Sequence, residues 1–445
     1  MNIQIPNAIN QREYQNRRKK IFNKMDNNSI AIIANNKAKI RSRDNHYPLQ
    51  PNNDFYYLTG FDEINAVAIL TKENNKNIYI LFSEAKNLVK ESWQGEIIGQ
   101  QKAITEFMAD ESYPIDQLSV KFLQMLSNKE CIYRQWQCNH RLEMLFKKTM
   151  YQLQQERMPK NFIANTVKNF DILIHELRLI KSPAEIEQLQ YAIDVSILGH
   201  IKMMQKCQAG AFEYQLQAEF SYIMQNHNCL QYAYNPIVAS GNNSCILHYD
   251  KSQKQLQDGE LLLADVGACY NYYNADITRT YPVNGKFNNA QQAIYEAVLA
   301  AQLAGEKKLQ IDISYQEYSD EVAKTITLNL KDLGLLQGNF DDLWQQKAYK
   351  KFYFHGAGHY LGLDVHDVGN YYDSGKSIKF KENMVMTNEP GIYIPYGSSN
   401  VAEKWWGIGI RLEDNIVITK DKVKVLSEKL PKTISEIELL CNNKN

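Results

Sequence analysis

The chain has 445 residues, 44% hydrophobic and 22% charged, with a formal net charge of +0. That composition is ordinary for a globular protein, and neutrality gives no global pull toward nucleic acid or acidic membranes. The length exceeds what one hydrophobic core usually serves, so two domains are expected.

The first twenty residues are polar and hold no apolar run of signal-peptide length. No stretch reaches the roughly 20 apolar residues that span a bilayer. A soluble, cytoplasmic protein is the expectation. Arg17-Arg18-Lys19-Lys20 falls in a polar, helix-like segment and reads as a solvated helix face. The seven cysteines are Cys131, Cys138, Cys207, Cys229, Cys245, Cys269 and Cys441. They are odd in number, scattered and without a C-x-x-C pair, so reduced thiols are expected.

Up to about residue 175 the chain alternates apolar strands with helical patterns. Strands are expected at 29–34, 66–70 and 78–82, each short, rich in branched residues and bounded by turn or polar residues. The aromatic segment at 53–61 reads as core packing. This region shows no metal-ligand spacing, nucleophile motif or phosphate-binding glycine loop. Assembly or substrate shaping is its expected role.

Ser182-Pro183-Ala184-Glu185 opens a helix. Serine caps, proline suits the first helical position, and Glu185 reaches back in a capping box. Ile186, Leu189, Ile193, Ile197, Ile201 and Met204 then form an apolar face. The helix marks the start of a second domain, residues 176–445. Another helix follows Gly210, with Phe212, Leu216, Phe220 and Ile223 on its buried side, then a strand at 237–239.

The strands at 261–267 and 273–281 each carry a carboxylate. Aspartate is depleted in strands, and burying it unpaired is costly. With the hairpin centre between Tyr270 and Asn271, Asp265 and Asp276 would lie directly opposite on one face. A metal pair or a turn-capping role would each explain them.

Helices are expected near 290–308 and 315–335, and strands at 384–389 and 408–419. The order of helices, hairpin, helices, hairpin suggests two similar halves facing each other across a site, although no sequence repeat is visible. In the last strand, alternation sends Arg411 and Glu413 to one face. Glu389 precedes Pro390-Gly391, so its strand ends there and its carboxylate sits at a rim. Of nine histidines, His248, His355, His359 and His366 gather in these regions. Glycines around His355 and His359 bring the backbone close to something. Two Asp, one His and two Glu form an oxygen-rich set. It favours Mn²⁺ or a similar hard divalent ion, exceeds one tetrahedral zinc, and suits a bridged metal pair.

These residues resemble the aminopeptidase P and prolidase group of the pita-bread metallopeptidases. The resemblance rests on the run from His355 to Asp367, on Glu389-Pro390-Gly391 and on Arg411-Leu412-Glu413-Asp414. Asp54 to Phe61, Glu91-Ser92-Trp93-Gln94-Gly95 and Asp276-Ile277-Thr278-Arg279-Thr280 extend it along the whole chain. It implies an α+β protein of two domains: an N-terminal α/β creatinase-like domain over 1–175 and a C-terminal pita-bread domain over 176–445.

The resemblance also implies roles. Asp265, Asp276, His359, Glu389 and Glu413 match the ligands of two divalent ions with a bridging hydroxide. His248, His355 and His366 match the other active-site histidines, with His248 and His366 orienting substrate. Glu389 would shuttle a proton, and Arg411 would brace the ligand carboxylates. Tyr393 and Trp93 match substrate-site residues, Trp93 reaching a neighbouring subunit in tetrameric enzymes. Ala357 departs from the usual larger aliphatic residue, with only small repacking expected.

The implied activity is a metallo-exopeptidase, an Xaa-Pro aminopeptidase acting on peptides with proline at position two. Such a bond is a tertiary amide without an N–H, so the site must accept the ring and protonate its nitrogen. The implied state is a homo-oligomer, tetramer or dimer, with no nucleic-acid or membrane partner. A prolidase restricted to dipeptides uses the same ligands. Creatinase-like chemistry does not need all five, and a catalytically dead pita-bread binding module predicts lost ligands, whereas all five are present.

Overall fold

The apolar run Ser29–Ala34 is buried at every position, as a strand covered on both faces requires. The computed structural model describes residues 3–74, 76–136, 140–155 and 160–443, so Cys138 lies outside the described residues. Ser29–Ala34 lies inside a six-stranded sheet. The strand order is Glu111–Pro114, Lys76–Ser83, Val67–Glu73, Ser29–Ala34, Cys131–Arg134, Thr166–Asn169. Val67–Glu73 is antiparallel to both neighbours, and the remaining pairs are parallel. Ile30, Ile32, Ile69, Ile80, Phe82 and Phe122 form the heart of one apolar cluster. The segment at 53–61 packs into the core as expected, as the helix Asn53–Thr59 with Phe55, Tyr57, Leu58 and Phe61 buried.

The basic run departs from the expected solvated face. Arg17 and Arg18 are only 3% and 2% exposed, while Lys19 and Lys20 face solvent. Arg17 donates to Tyr57 O at 3.1 Å and Arg18 to Leu58 O at 2.8 Å. Their guanidinium carbons lie 4.1 Å from the ring centroids of Tyr57 and Tyr79 respectively. Stacking on aromatic faces and bonding to carbonyls replaces the water that solvates a charge run on an open helix face.

The chain divides into two compact units. One spans Ala8–Arg178; the other runs from Leu179 onward and takes in the residues preceding Ala8. In the second unit, Gln188 donates to Asn7 O at 2.9 Å. The helix Pro183–Lys206 opens on the expected capping box between Ser182 and Glu185. Its buried surface is wider than one stripe: Val195, Gly199 and His200 are buried beside Leu189, Ile193 and Ile197. A Cβ on Gly199 would fall 2.4 Å from the Phe220 ring, so glycine there lets the helix Glu213–Asn226 pack close.

A second helix pair, Asn289–Lys308 and Tyr315–Asp332, follows. Each half also holds a three-stranded antiparallel sheet. One consists of Ile237–Ser240, Leu261–Asp265 and Thr278–Pro282; the other of Val385–Asn388, Asp414–Ile418 and Val423–Val425.

The single strand expected over 408–419 is broken. Ile408–Arg411 pairs with Gly391–Ile394, whereas Asp414–Ile418 pairs with Val385–Asn388. Between them, Leu412 N–H donates to Pro390 O and Glu413 N–H to Thr278 O. Among the described residues no helix is long and apolar enough to cross a membrane. The six described cysteines are buried and form no disulfide.

Candidate metal centre

Asn271 and Tyr272 both adopt positive φ, 47° and 68°. Two such residues in succession make the tight turn whose twist suits an antiparallel hairpin. The turn pairs Tyr270 with Tyr273, and the same register reaches Asp265 opposite Thr278. The hairpin centre is therefore one residue later than expected, and Asp265 and Asp276 are not directly opposed. Asp276 sits two places along, still near enough for both carboxylates to line one cavity. Gly267 makes this possible: a Cβ there would fall 1.8 Å from Ala275 O. Asp276 is anchored through its backbone, with its N–H donating to Asn415 Oδ1 at 3.1 Å. Neither aspartate is a turn cap.

The opposite wall comes from residues 355–366 and 389–413. Gly358 allows the histidine stretch to lie against the strand Val385–Asn388, since a Cβ there would fall 2.1 Å from Thr387 O. The contact is sealed by His359 N–H to Thr387 Oγ1 at 2.9 Å and Thr387 N–H to His359 O at 2.8 Å. Glu389 follows the strand end and is held by its N–H to Ala357 O at 2.9 Å.

Hydrogen bonds fix the imidazoles. His359 Nδ1 lies 3.0 Å from Tyr360 O, an acceptor only, so this nitrogen carries the proton. Its Nε2 is left facing Asp276 Oδ2 at 3.3 Å and Glu389 Oε1 at 3.5 Å. His355 Nδ1 likewise donates to Gly356 O at 2.8 Å, so its Nε2 accepts from the Tyr393 hydroxyl at 2.8 Å. Burial, with Arg411 nearby, pushes His355 down to about 3, so it stays neutral.

Arg411 holds three groups at once. It donates to Asp265 Oδ2 at 2.6 Å, to the Tyr393 oxygen at 3.0 Å and to Thr278 Oγ1 at 3.2 Å. Thr278 passes the contact on, donating to Glu413 Oε2 at 2.6 Å. The guanidinium thus braces Asp265 directly and reaches Glu413 through a hydroxyl. Tyr234 O–H takes the other oxygen of Asp265 at 2.5 Å.

The cavity is about 400 Å³, and its lining includes all five expected ligand residues with His248, His355, His366 and Arg411. Ligand atoms of Asp276, His359 and Glu413 lie within 4.8 Å of one another. The local charge is unbalanced, with the buried Asp265, Asp276 and Glu413 and the half-buried Glu389 against one guanidinium. Burial and mutual repulsion raise Asp265 and Glu413, and burial lifts Glu389 to about 7. Burial lowers His359, but Asp276 and Glu389 outweigh it and draw its imidazole up to about 9, so a proton on Nε2 fills the place that a cation would take. A donor set of carboxylate oxygens and one imidazole nitrogen aimed at them fits divalent cations.

Not every expected residue reaches the cavity. Tyr393 is fully buried behind the lining, where it touches His355 and Arg411. Trp93 belongs to the Ala8–Arg178 unit, is 85% exposed and does not line the cavity. Tyr234, Thr278, Thr387 and Asn415 were missed. Thr278 was findable, since it follows Asp276 by two, whereas the other three leave no local signal. A second group, Asp54, Asp171 and His175, also comes within ligand range, where the sequence showed no metal spacing. There Arg178 donates to Asp54 at 2.7 Å and the Gln135 amide bridges Asp54 and Asp171, so Asp54 already has its cation and Asp171 a donor.

Carboxylates short of cations, with one imidazole nitrogen held open toward them between two sheets, define a metal-dependent hydrolase. The chain belongs to metallopeptidase family M24. Residues 187–420 match that family's model, and residues 14–133 match the model of the aminopeptidase P N-terminal domain. The Xaa-Pro aminopeptidase of Haemophilus influenzae is 38% identical over 430 residues, covering 97% of each chain. That of Escherichia coli is 36% identical, covering 97% of this chain and 98% of its own. Pseudomonas aeruginosa aminopeptidase PepP superposes with a TM-score of 0.95 at 38% identity, covering 98% and 99%. Zinc-substituted E. coli aminopeptidase P in complex with product gives 0.96 at 35% identity, covering 99% and 100%. The two-domain α+β architecture expected from the sequence is that of these enzymes.

Proposed function

We propose that the protein is an Xaa-Pro aminopeptidase that uses two divalent ions held by Asp265, Asp276, His359, Glu389 and Glu413. The observation that carries this reading is the complete five-residue donor set in a chain similar over its full length to enzymes of that name. A bound metal pair supplies an acidified water and polarises the scissile carbonyl.

The chain's own groups do the rest. Arg411 and Tyr234 leave Asp265 one orientation, and Thr278 does the same for Glu413. Glu389, in the lining of the cavity beside His359, is placed to take a proton from a bound water and pass it to the leaving proline nitrogen. That transfer is needed because the bond carries no N–H of its own. His248 and His366 line the cavity and are exposed, so they meet the peptide. His355 has both nitrogens engaged and acts by holding Tyr393 and Arg411 in place.

We assign Mn²⁺ as the native metal from the oxygen-rich ligands. The N-terminal region, read as 1–175, serves assembly and substrate shaping. Its helix Leu88–Gln94 buries no residue and exposes Leu88, Val89 and Trp93, which supports a homo-oligomer, a tetramer in this reading. The described cysteines are buried and in no disulfide, which is consistent with the cytoplasm. The test is hydrolysis of Arg-Pro-Pro-Gly-Phe, Ala-Pro and Arg-Ala-Pro-Gly-Phe with Mn²⁺ supplied. Release of arginine from the first peptide and not the third is expected. Cleavage of the dipeptide alone would make the protein a prolidase.

A further inference from the structure

Five carboxylates line the cavity, and four of them belong to the proposed metal ligands. The fifth is Asp250, two residues beyond His248 and exposed at the cavity mouth. Among the described residues its carboxylate makes no ion pair or hydrogen bond. Among the described residues no lysine lines the cavity; Lys251, next in the chain, is exposed and outside the lining. The one arginine in the lining, Arg411, is buried and fully engaged by Asp265, Tyr393 and Thr278. The four ligand carboxylates would face the two divalent ions, with Arg411 beside Asp265. Asp250 is then the lining carboxylate with neither a metal nor Arg411 against it.

We propose that Asp250 is a specificity-determining residue that favours peptides carrying lysine or arginine next to the proline, at position one or three. The proposal rests on the aminopeptidase reading above. A solvated carboxylate at a rim attracts a cationic side chain weakly, so the preference over a neutral chain of equal length is about two- to fivefold. It acts mainly on capture of the peptide, and it fades with salt as the screening length falls from about 10 Å at 0.1 M to about 3 Å at 1 M. A glutamate at the same position is disfavoured.

The test compares kcat/KM for Lys-Pro-Ala-Ala with norleucine-Pro-Ala-Ala, and for Ala-Pro-Lys-Ala with Ala-Pro-norleucine-Ala, all with Mn²⁺. Wild type, Asp250→Asn and Asp250→Lys are assayed at low and high salt. In one of the two pairs, the wild-type preference for lysine should shrink at high salt, vanish in Asp250→Asn and invert in Asp250→Lys. Cleavage with the same lysine-to-norleucine ratios in wild type and Asp250→Asn would overturn the proposal and leave the aminopeptidase reading standing. Cleavage of no peptide by the wild type would remove both.

Discussion

The Tyr393 hydroxyl lies 2.8 Å from His355 Nε2, and its second bond, 3.0 Å from Arg411 Nη1, decides who donates. Arginine only donates, so the tyrosine oxygen accepts from it and the tyrosine proton goes to the histidine. Tyr393→Phe strands a buried guanidinium donor and a buried imidazole acceptor. Each such loss is worth about 1–3 kcal/mol. The expected result is a fall in kcat/KM of about 10- to 100-fold with two metal ions still bound. Unchanged turnover would separate Tyr393 from the site.

Asp276→Ala and Glu389→Ala should each abolish hydrolysis while leaving a folded protein. Metal analysis should find about two ions per chain in the wild type and fewer in either variant. Chelation should lower the melting temperature of the wild type more than that of the variants, because the bound metal stabilises only the folded state. Near-normal activity in either variant would remove the metal-site argument.

Gly358 and Gly267 are expected to tolerate no side chain. A methyl at either position would collide with a backbone carbonyl, at 2.1 Å from Thr387 O or 1.8 Å from Ala275 O. Neither carbonyl belongs to a flexible side-chain end that could swing aside. Gly358→Ala should therefore cost about 3 kcal/mol or more and weaken metal binding, since it displaces His359. Denaturant unfolding followed by metal titration checks both effects.

The N-terminal unit should lose stability in acid through Asp54. Burial pushes this carboxyl up, but the Arg178 guanidinium, with His175 beside it, more than offsets that and holds it below the usual range. A carboxyl depressed in the folded state stabilises above its unfolded value, near 3.9, and loses that contribution as pH falls through its folded value. Asp54→Asn should flatten the stability–pH curve below about pH 4. At neutral pH it should cost about 1–3 kcal/mol, because the buried Arg178 guanidinium loses the Asp54 carboxylate. Urea unfolding of wild type and variant between pH 3 and 7 measures both, and equal acid slopes would count against the assignment.

Much of the site was legible in the chain. Strands at 29–34 and 237–239, the capping box at Ser182 and the five candidate ligands that line one cavity all follow from local chemistry or from motif order. Each depends on residues close in sequence, whose spacing alone fixes a face, a cap or a turn. Other features depend on partners far away. The centre of the hairpin was misplaced by one residue because the turn is set by φ values that an Asn-Tyr pair does not advertise. Arg17 and Arg18 read as solvated because the tyrosine faces and carbonyls that receive them lie 40 residues or more along the chain.

The sequence by itself determined the five candidate ligand residues, the two-domain plan and the family, because these are properties of residue type and order. Only the tertiary structure decided that Arg411 braces Asp265 and reaches Glu413 through Thr278, and that Tyr393 stands behind the cavity. Only it showed that His359 presents Nε2 to the carboxylates and that Asp250 is left without a counter-charge at the mouth. Each of these is a choice among partners brought together from distant strands. Hydrogen-bond direction and local charge balance make that choice once the backbone has closed around them.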